Sequence, residues 1–237
     1  QIQYIVLLKF SNNMSQFSTK HSVNLPKEIS CLHYISQGKD REEHLANITR
    51  VLKAGANWIQ LRIKEMPQKE ILKTAILARE LCAKYKAKLI INDHVKVAKT
   101  CNADGVHLGQ EDTDVLEARK ILGKDKIIGG TANTLQHCLE HLENGVDYIG
   151  LGPLRFTSTK KELSPVLGFS GYQHLMQDYL KKENSVPVIA IGGIALKDIQ
   201  DLKKIGLSGV AVSSLLTHSK DPKNEIQHIL DRFAVRV

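Results

Sequence analysis

The chain has 237 residues, 42% of them hydrophobic and 5% aromatic, enough to bury a sizeable aliphatic core in one large domain. No apolar run reaches the roughly 20 residues that a bilayer-crossing helix needs, and the opening Gln1-Ile2-Gln3-Tyr4-Ile5-Val6-Leu7-Leu8 lacks the basic leader and cleavage site of a secretory signal. The formal charge of +8 comes from lysines spread along nearly every helical segment, not gathered with aromatics into one stripe. That distribution argues against nucleic acid and fits small anionic substrates. The four cysteines, Cys31, Cys82, Cys101 and Cys138, form no CxxC and are expected to be reduced thiols of a cytoplasmic protein.

In chain order, residues 1–30 stand outside any repeat, with a polar loop-like stretch from Ser11 to Gln16, and are read as an N-terminal extension. From residue 31 onward, short aliphatic runs alternate with amphipathic stretches, and no linker interrupts residues 31–237, which are read as one domain. Strands are expected at Leu32–Ser36, Trp58–Arg62, Leu89–Asn92, Gly105–Leu108, Lys126–Gly129, Tyr148–Leu151, Val188–Ile191 and Gly209–Val212. Between them Leu45, Ile48 and Leu52 share a helical face, as do Ile71, Ala75, Ala78 and Cys82, and Ile226, Ile229, Leu230 and Phe233 near the end. Apolar strands with little alternation imply burial on both faces, hence a parallel sheet. Eight βα units close most simply into a single (β/α)8 TIM barrel; a doubly wound open sheet is the alternative.

A barrel of this kind places its chemistry at the C-terminal ends of the strands. The second strand ends Gln60-Leu61-Arg62-Ile63-Lys64, and alternation sends Gln60, Arg62 and Lys64 to one side. The third and fourth deliver Asn92-Asp93 and, after His107, Gln110-Glu111-Asp112. Asp93 and Asp112 read either as helix N-caps or as a carboxylate pair for Mg²⁺, a hard cation that takes one or two protein carboxylates and fills its shell with phosphates and water. The fifth strand ends at Gly129, and Gly130-Thr131-Ala132-Asn133-Thr134 reads as a hydroxyl-rich turn. Gly152-Pro153 through Thr157, Thr159 and Lys160 offers hydroxyls, turn amides and a mobile charge to a phosphorylated ligand. Gly192-Gly193 after the seventh strand and Ser213-Ser214 after the eighth match the usual phosphate site of such barrels. His137 and His141 have helical spacing but lack the Glu of a zinc protease, and are read as outer-helix residues; Trp58 is read as core.

Five segments in order resemble the thiamine-phosphate synthase (thiamine-phosphate pyrophosphorylase) family: Gln60 to Lys64, Ile91 to Asp93, Ala103 to Asp112, Gly152 to Lys160, and Ala190 to Ile194. The resemblance spans residues 31 to about 235 and implies a (β/α)8 barrel transferase. It implies that Arg62, Lys64, Asn92 and Lys160 grip a pyrophosphate and that Asp93 and Asp112 hold Mg²⁺. Gln60 would then address a pyrimidine, His107 would contact a ligand, and Thr131 would lie near the pyrophosphate. Thr157, Thr159, Gly193 and Ser213, with Ser214 beside them, would hold a thiazole phosphate. Partners are therefore expected to be small phosphorylated molecules, for a monomer or homodimer. Leu154-Arg155-Phe156, where the family more often has an apolar residue and Pro, and Gly130-Thr131, where a Ser-containing turn is commoner, depart from the pattern. A related thiazole tautomerase is the alternative activity; it has no use for a metal and a diphosphate clamp.

Overall fold

The computed structural model describes residues 27–157 and 164–234. Eight parallel strands close into a barrel in sequence order: β1 (Leu32–Ile35), β2 (Trp58–Leu61), β3 (Lys88–Asn92), β4 (Gly105–Leu108), β5 (Ile127–Ala132), β6 (Tyr148–Leu151), β7 (Val188–Ile191) and β8 (Gly209–Val212). The seam is the β1–β8 pairing, in register at Leu32↔Val210 and Tyr34↔Val212. The expected barrel is thus observed, and the open-sheet alternative is excluded by this closure.

The helices of the outer ring are α1 (Arg41–Lys53), α2 (Gln68–Lys84), α3 (Val95–Thr100), α4 (Val115–Leu122), α5 (Leu135–Glu143), α6 (Gly168–Tyr179), α7 (Ile199–Ile205), α8 (Ser214–Thr217) and α9 (Pro222–Phe233). Their starts follow local chemistry. Asp40 accepts the Glu43 N–H ahead of α1, Asp114 accepts those of Leu116 and Glu117 ahead of α4, and Thr134 accepts that of His137 ahead of α5. Asp221 caps α9, whose first residue is Pro222. None of the described helices is long and apolar enough to cross a membrane.

Two apolar clusters hold the barrel together. The larger lies between strands and helices and takes in Ile48 and Leu52 of α1, Ile71, Ala75, Ala78 and Cys82 of α2, and Ile226 and Ile229 of α9. The smaller fills the barrel interior with Ile35, Trp58, Ile90, Ile127, Tyr148, Ile189 and Ala211, and Ile29 packs against it. Trp58 is core, as expected, with His33 stacked on it at 4.3 Å between ring centroids. At the N-terminal ends of the strands, Asp147 accepts from the Ile128 N–H (2.8 Å) and Arg119 (2.7 Å) and ion-pairs with Lys27 (2.9 Å). Cys82, Cys101 and Cys138 are buried, Cys31 is half-buried, and all four are free thiols.

Candidate active site

The C-terminal mouth collects polar side chains from neighbouring strands. Gln60 and Asn92 are buried just below the rim, and the Gln60 amide donates to Asn92 Oδ1 at 2.9 Å. That bond leaves the Asn92 amide hydrogens and the Gln60 carbonyl for other partners. Two residues on, Arg62 is half-buried, and burial lowers its pKa against the opposing pull of the Asp93 charge. Its backbone N–H donates to Ser36 Oγ at 3.2 Å, and Ser36 in turn bonds His44 Nδ1 at 2.9 Å. The end of β2 is thereby fixed from behind by β1 and α1.

Lys64 forms an ion pair with Asp93, whose backbone holds the left-handed φ of +65° that few residues tolerate without glycine's freedom. Strained backbone of this kind clusters at functional sites. Asp112 Oδ2 accepts from the Gly109 N–H at 2.6 Å. Burial, then the neighbouring Asp93 carboxylate, push the Asp112 carboxyl above its ordinary pKa. Neither carboxylate caps a helix: His94 precedes α3 without a side-chain cap bond, and Asp114 caps α4. The two aspartates face each other instead. Oxygen ligands from two carboxylates, with like-charge repulsion between them, suit a hard divalent cation.

The hydroxyl-rich segment after Gly129 is strand, not turn, as far as Ala132, because β6 pairs with it at Gly130↔Ile149 and Thr131↔Gly150. Thr131 is half-buried at the rim, and its Oγ1 lies 3.0 Å from His107 Nε2. His107 Nδ1 lies 3.0 Å from Tyr148 Oη. His141 belongs to the same rim from outside: its Nε2 donates to the Thr131 carbonyl at 2.8 Å, and His137 takes no part. No group of three or more metal-ligating His, Cys, Asp or Glu side chains occurs among the described residues.

Across the mouth, the segment after β6 is fastened to the segment after β7. The Leu154 N–H donates to the Ile191 carbonyl (2.9 Å) and the Arg155 N–H to that of Gly192 (3.0 Å). Gly192 and Gly193 have φ of +87° and +66°, and a Cβ on Gly192 would lie 2.4 Å from Pro153 Cβ, so this close approach requires glycine. Arg155, where the chain departs from the family pattern, donates to buried Asp198 at 2.8 Å and to the Gly193 carbonyl at 3.1 Å. Asn133 donates to the carbonyls of Gly152 and Pro165, both at 2.8 Å, and so holds the two ends of the β6–α6 segment together. Thr157 is half-buried on it. Thr159 and Lys160 lie outside the described residues.

Of the serine pair, Ser213 Oγ donates to the Ile35 carbonyl at 2.7 Å, which ties β8 to β1 and commits its one hydroxyl hydrogen. Ser214 Oγ accepts from Gln37 Nε2 at 3.1 Å, so its own hydrogen points elsewhere. The residues not anticipated from sequence are Ser36, Tyr148 and Asp198. Only Tyr148 carried a signal, its inward phase with Gly150 on β6.

A family model described as "Thiamine monophosphate synthase" matches residues 32–216. The thiamine-phosphate synthase of Flavobacterium johnsoniae is 48% identical over 206 residues, which are 87% of this chain and 97% of that one. That of Flavobacterium psychrophilum is 49% identical over 191 residues, 81% of this chain and 93% of its own. The solved thiamine phosphate pyrophosphorylase from Pyrococcus furiosus shares the fold with a TM-score of 0.73 at 30% identity, over 85% of this chain and 96% of the other. A barrel mouth carrying Gln60, Arg62, Lys64, Asn92, Asp93 and Asp112 on a match of this extent leaves one assignment: the chain belongs to the thiamine monophosphate synthase family of transferases.

Proposed function

We propose that the chain condenses 4-amino-5-hydroxymethyl-2-methylpyrimidine diphosphate with 4-methyl-5-(2-phosphoethyl)thiazole, giving thiamine phosphate and pyrophosphate. The observation that carries this reading is the facing pair Asp93 and Asp112, set beside Lys64 and Arg62 at adjacent strand ends. Asp93 and Asp112 fit Mg²⁺, which would supply charge neutralisation for a diphosphate leaving group.

In the reaction the methylene carbon–oxygen bond breaks and its electron pair leaves with pyrophosphate. The thiazole nitrogen then forms the new carbon–nitrogen bond. The electron-rich aminopyrimidine stabilises the positive charge that develops on the methylene, so the protein's task is electrostatics and positioning. Arg62 and Lys64 take up charge on the departing oxygens, with Asn92 donating from its amide and the Lys160 ammonium adding a further positive charge. Gln60, held by Asn92, orients the pyrimidine, and His107 and Thr131 line the rim next to it. On the opposite side, Thr157, Thr159, the Gly193 backbone and the Ser213–Ser214 pair receive the thiazole phosphate. The hydrogen-bond pattern favours the Ser214 hydroxyl as donor there, since that of Ser213 is used by Ile35.

The test is product formation by the purified protein from the two substrates. Multiple turnovers of thiamine phosphate are expected. Absence of product, with conversion of a thiazole carboxylate tautomer in a parallel sample, would replace this reading by the tautomerase.

A further inference from the structure

Tyr148 projects from β6 into the barrel interior, where Trp58 and His33 meet it edge-on at 5.7 and 5.0 Å between centroids. Its hydroxyl reaches His107 Nδ1, and His107 Nε2 reaches Thr131 Oγ1, both at 3.0 Å. The chain therefore runs from the apolar core to the rim of the mouth through two uncharged hydroxyls and one imidazole. Two glycines make room for it. A Cβ on Gly129 would lie 2.2 Å from Tyr148 Cζ, and one on Gly150 would lie 2.9 Å from His107 Cε1.

We propose that Tyr148 is a positioning residue, which selects the Nε2–H tautomer of His107 and thereby turns the Thr131 hydroxyl hydrogen toward a bound anion. Among the described residues, His107 Nδ1 is the hydrogen-bond partner of Tyr148 Oη, and the nearby His33 Nε2 has none. A buried phenol hydrogen left without an acceptor is costly, so Tyr148 donates and Nδ1 accepts. A neutral imidazole then carries its hydrogen on Nε2 and donates it to Thr131 Oγ1. The Thr131 hydrogen is released from the chain and is available to an oxygen of the ligand. The reverse order would strand the Tyr148 hydrogen and turn Thr131 lone pairs toward an anion. Burial raises the Tyr148 pKa, so the phenol keeps its proton throughout the neutral range.

The role of Thr131 toward an anion rests on the function proposed above; the tautomer does not. The test is ¹⁵N NMR of histidine-labelled, ligand-free protein, with His107 signals identified by their loss in His107→Asn, alongside titration with inorganic pyrophosphate and Mg²⁺. Wild type is expected to hold hydrogen on Nε2. Tyr148→Phe is expected to lose that bias and to bind pyrophosphate roughly tenfold more weakly, as for one hydrogen bond to a charged group, with thiazole phosphate affinity unchanged. Hydrogen on Nδ1 in wild type would overturn the proposal, and that result needs no variant. An unchanged tautomer and affinity in Tyr148→Phe would overturn it too. Wild type that shows the Nε2–H tautomer yet binds no pyrophosphate would overturn the reading of the site, and Thr131's part with it, while the tautomer assignment stood.

Discussion

His33 lies fully within the barrel interior against Trp58, where an imidazolium loses its hydration. That burial, with a smaller push from His107, brings its pKa down from 6.5 to about 3. The unfolded chain accepts a proton near pH 6.5 that the folded chain refuses until about pH 3. The contribution to stability is therefore complete above pH 6.5 and falls as pH drops through that window, by about 1.4 kcal/mol per pH unit for one proton. His33→Phe keeps a planar ring on Trp58 and removes the titration. Urea unfolding across the window is expected to show a shallower acid-side loss in the variant than in wild type. His44, whose pKa burial also lowers, is common to both and cancels. Parallel pH profiles would show that His33 does not set the slope.

At the scale of the element, β5 is the informative case. Gly129 and Gly130 sit inside the strand because the Tyr148 ring fills the space over one and the His141 ring that over the other, with ring atoms 2.2 and 2.6 Å from where a Cβ would be. Gly129→Ala is expected to cost about 1–3 kcal/mol, as overpacking does, and to lower the midpoint of thermal unfolding. An unshifted midpoint would mean that the Tyr148 ring has room to move. The same strand shows where the sequence was readable and where it was not. Seven strands lay within a residue of their expected ends, because their aliphatic runs are bounded by turn residues and are buried on both sides. The expected end of β5 at Gly129 fell short by three residues, since glycine is a breaker in local terms and a clearance in tertiary ones. Gln60, Arg62 and Lys64 were legible through alternation alone. The pairing of Asp93 with Asp112 was legible only as one of two readings, and the part of Tyr148, which depends on which side chains meet inside the barrel, was not legible. Helix-cap chemistry gave the aspartates a competing local explanation, which the caps at Asp114 and the bare His94 remove.

The whole molecule separates its two tasks by end. The N-terminal ends of the strands carry ion pairs centred on Asp147, far along the barrel from the polar rim at the opposite ends. Asp147→Asn weakens charged hydrogen bonds to Arg119 and Lys27, and should lower unfolding free energy by about 1–3 kcal/mol while the turnover of folded enzyme is unchanged. A loss of turnover at full folding would show that the two ends are coupled. The proposed function turns on the rim, where Asp93 and Asp112 would together hold the cation that assists pyrophosphate departure. Titrating turnover with Mg²⁺ in wild type and in Asp112→Asn tests it most directly. A metal requirement is expected in wild type, with at least a tenfold shift to higher Mg²⁺ in the variant, the scale on which losing a ligand's support acts. Superimposable titrations, or turnover without metal, would contradict it.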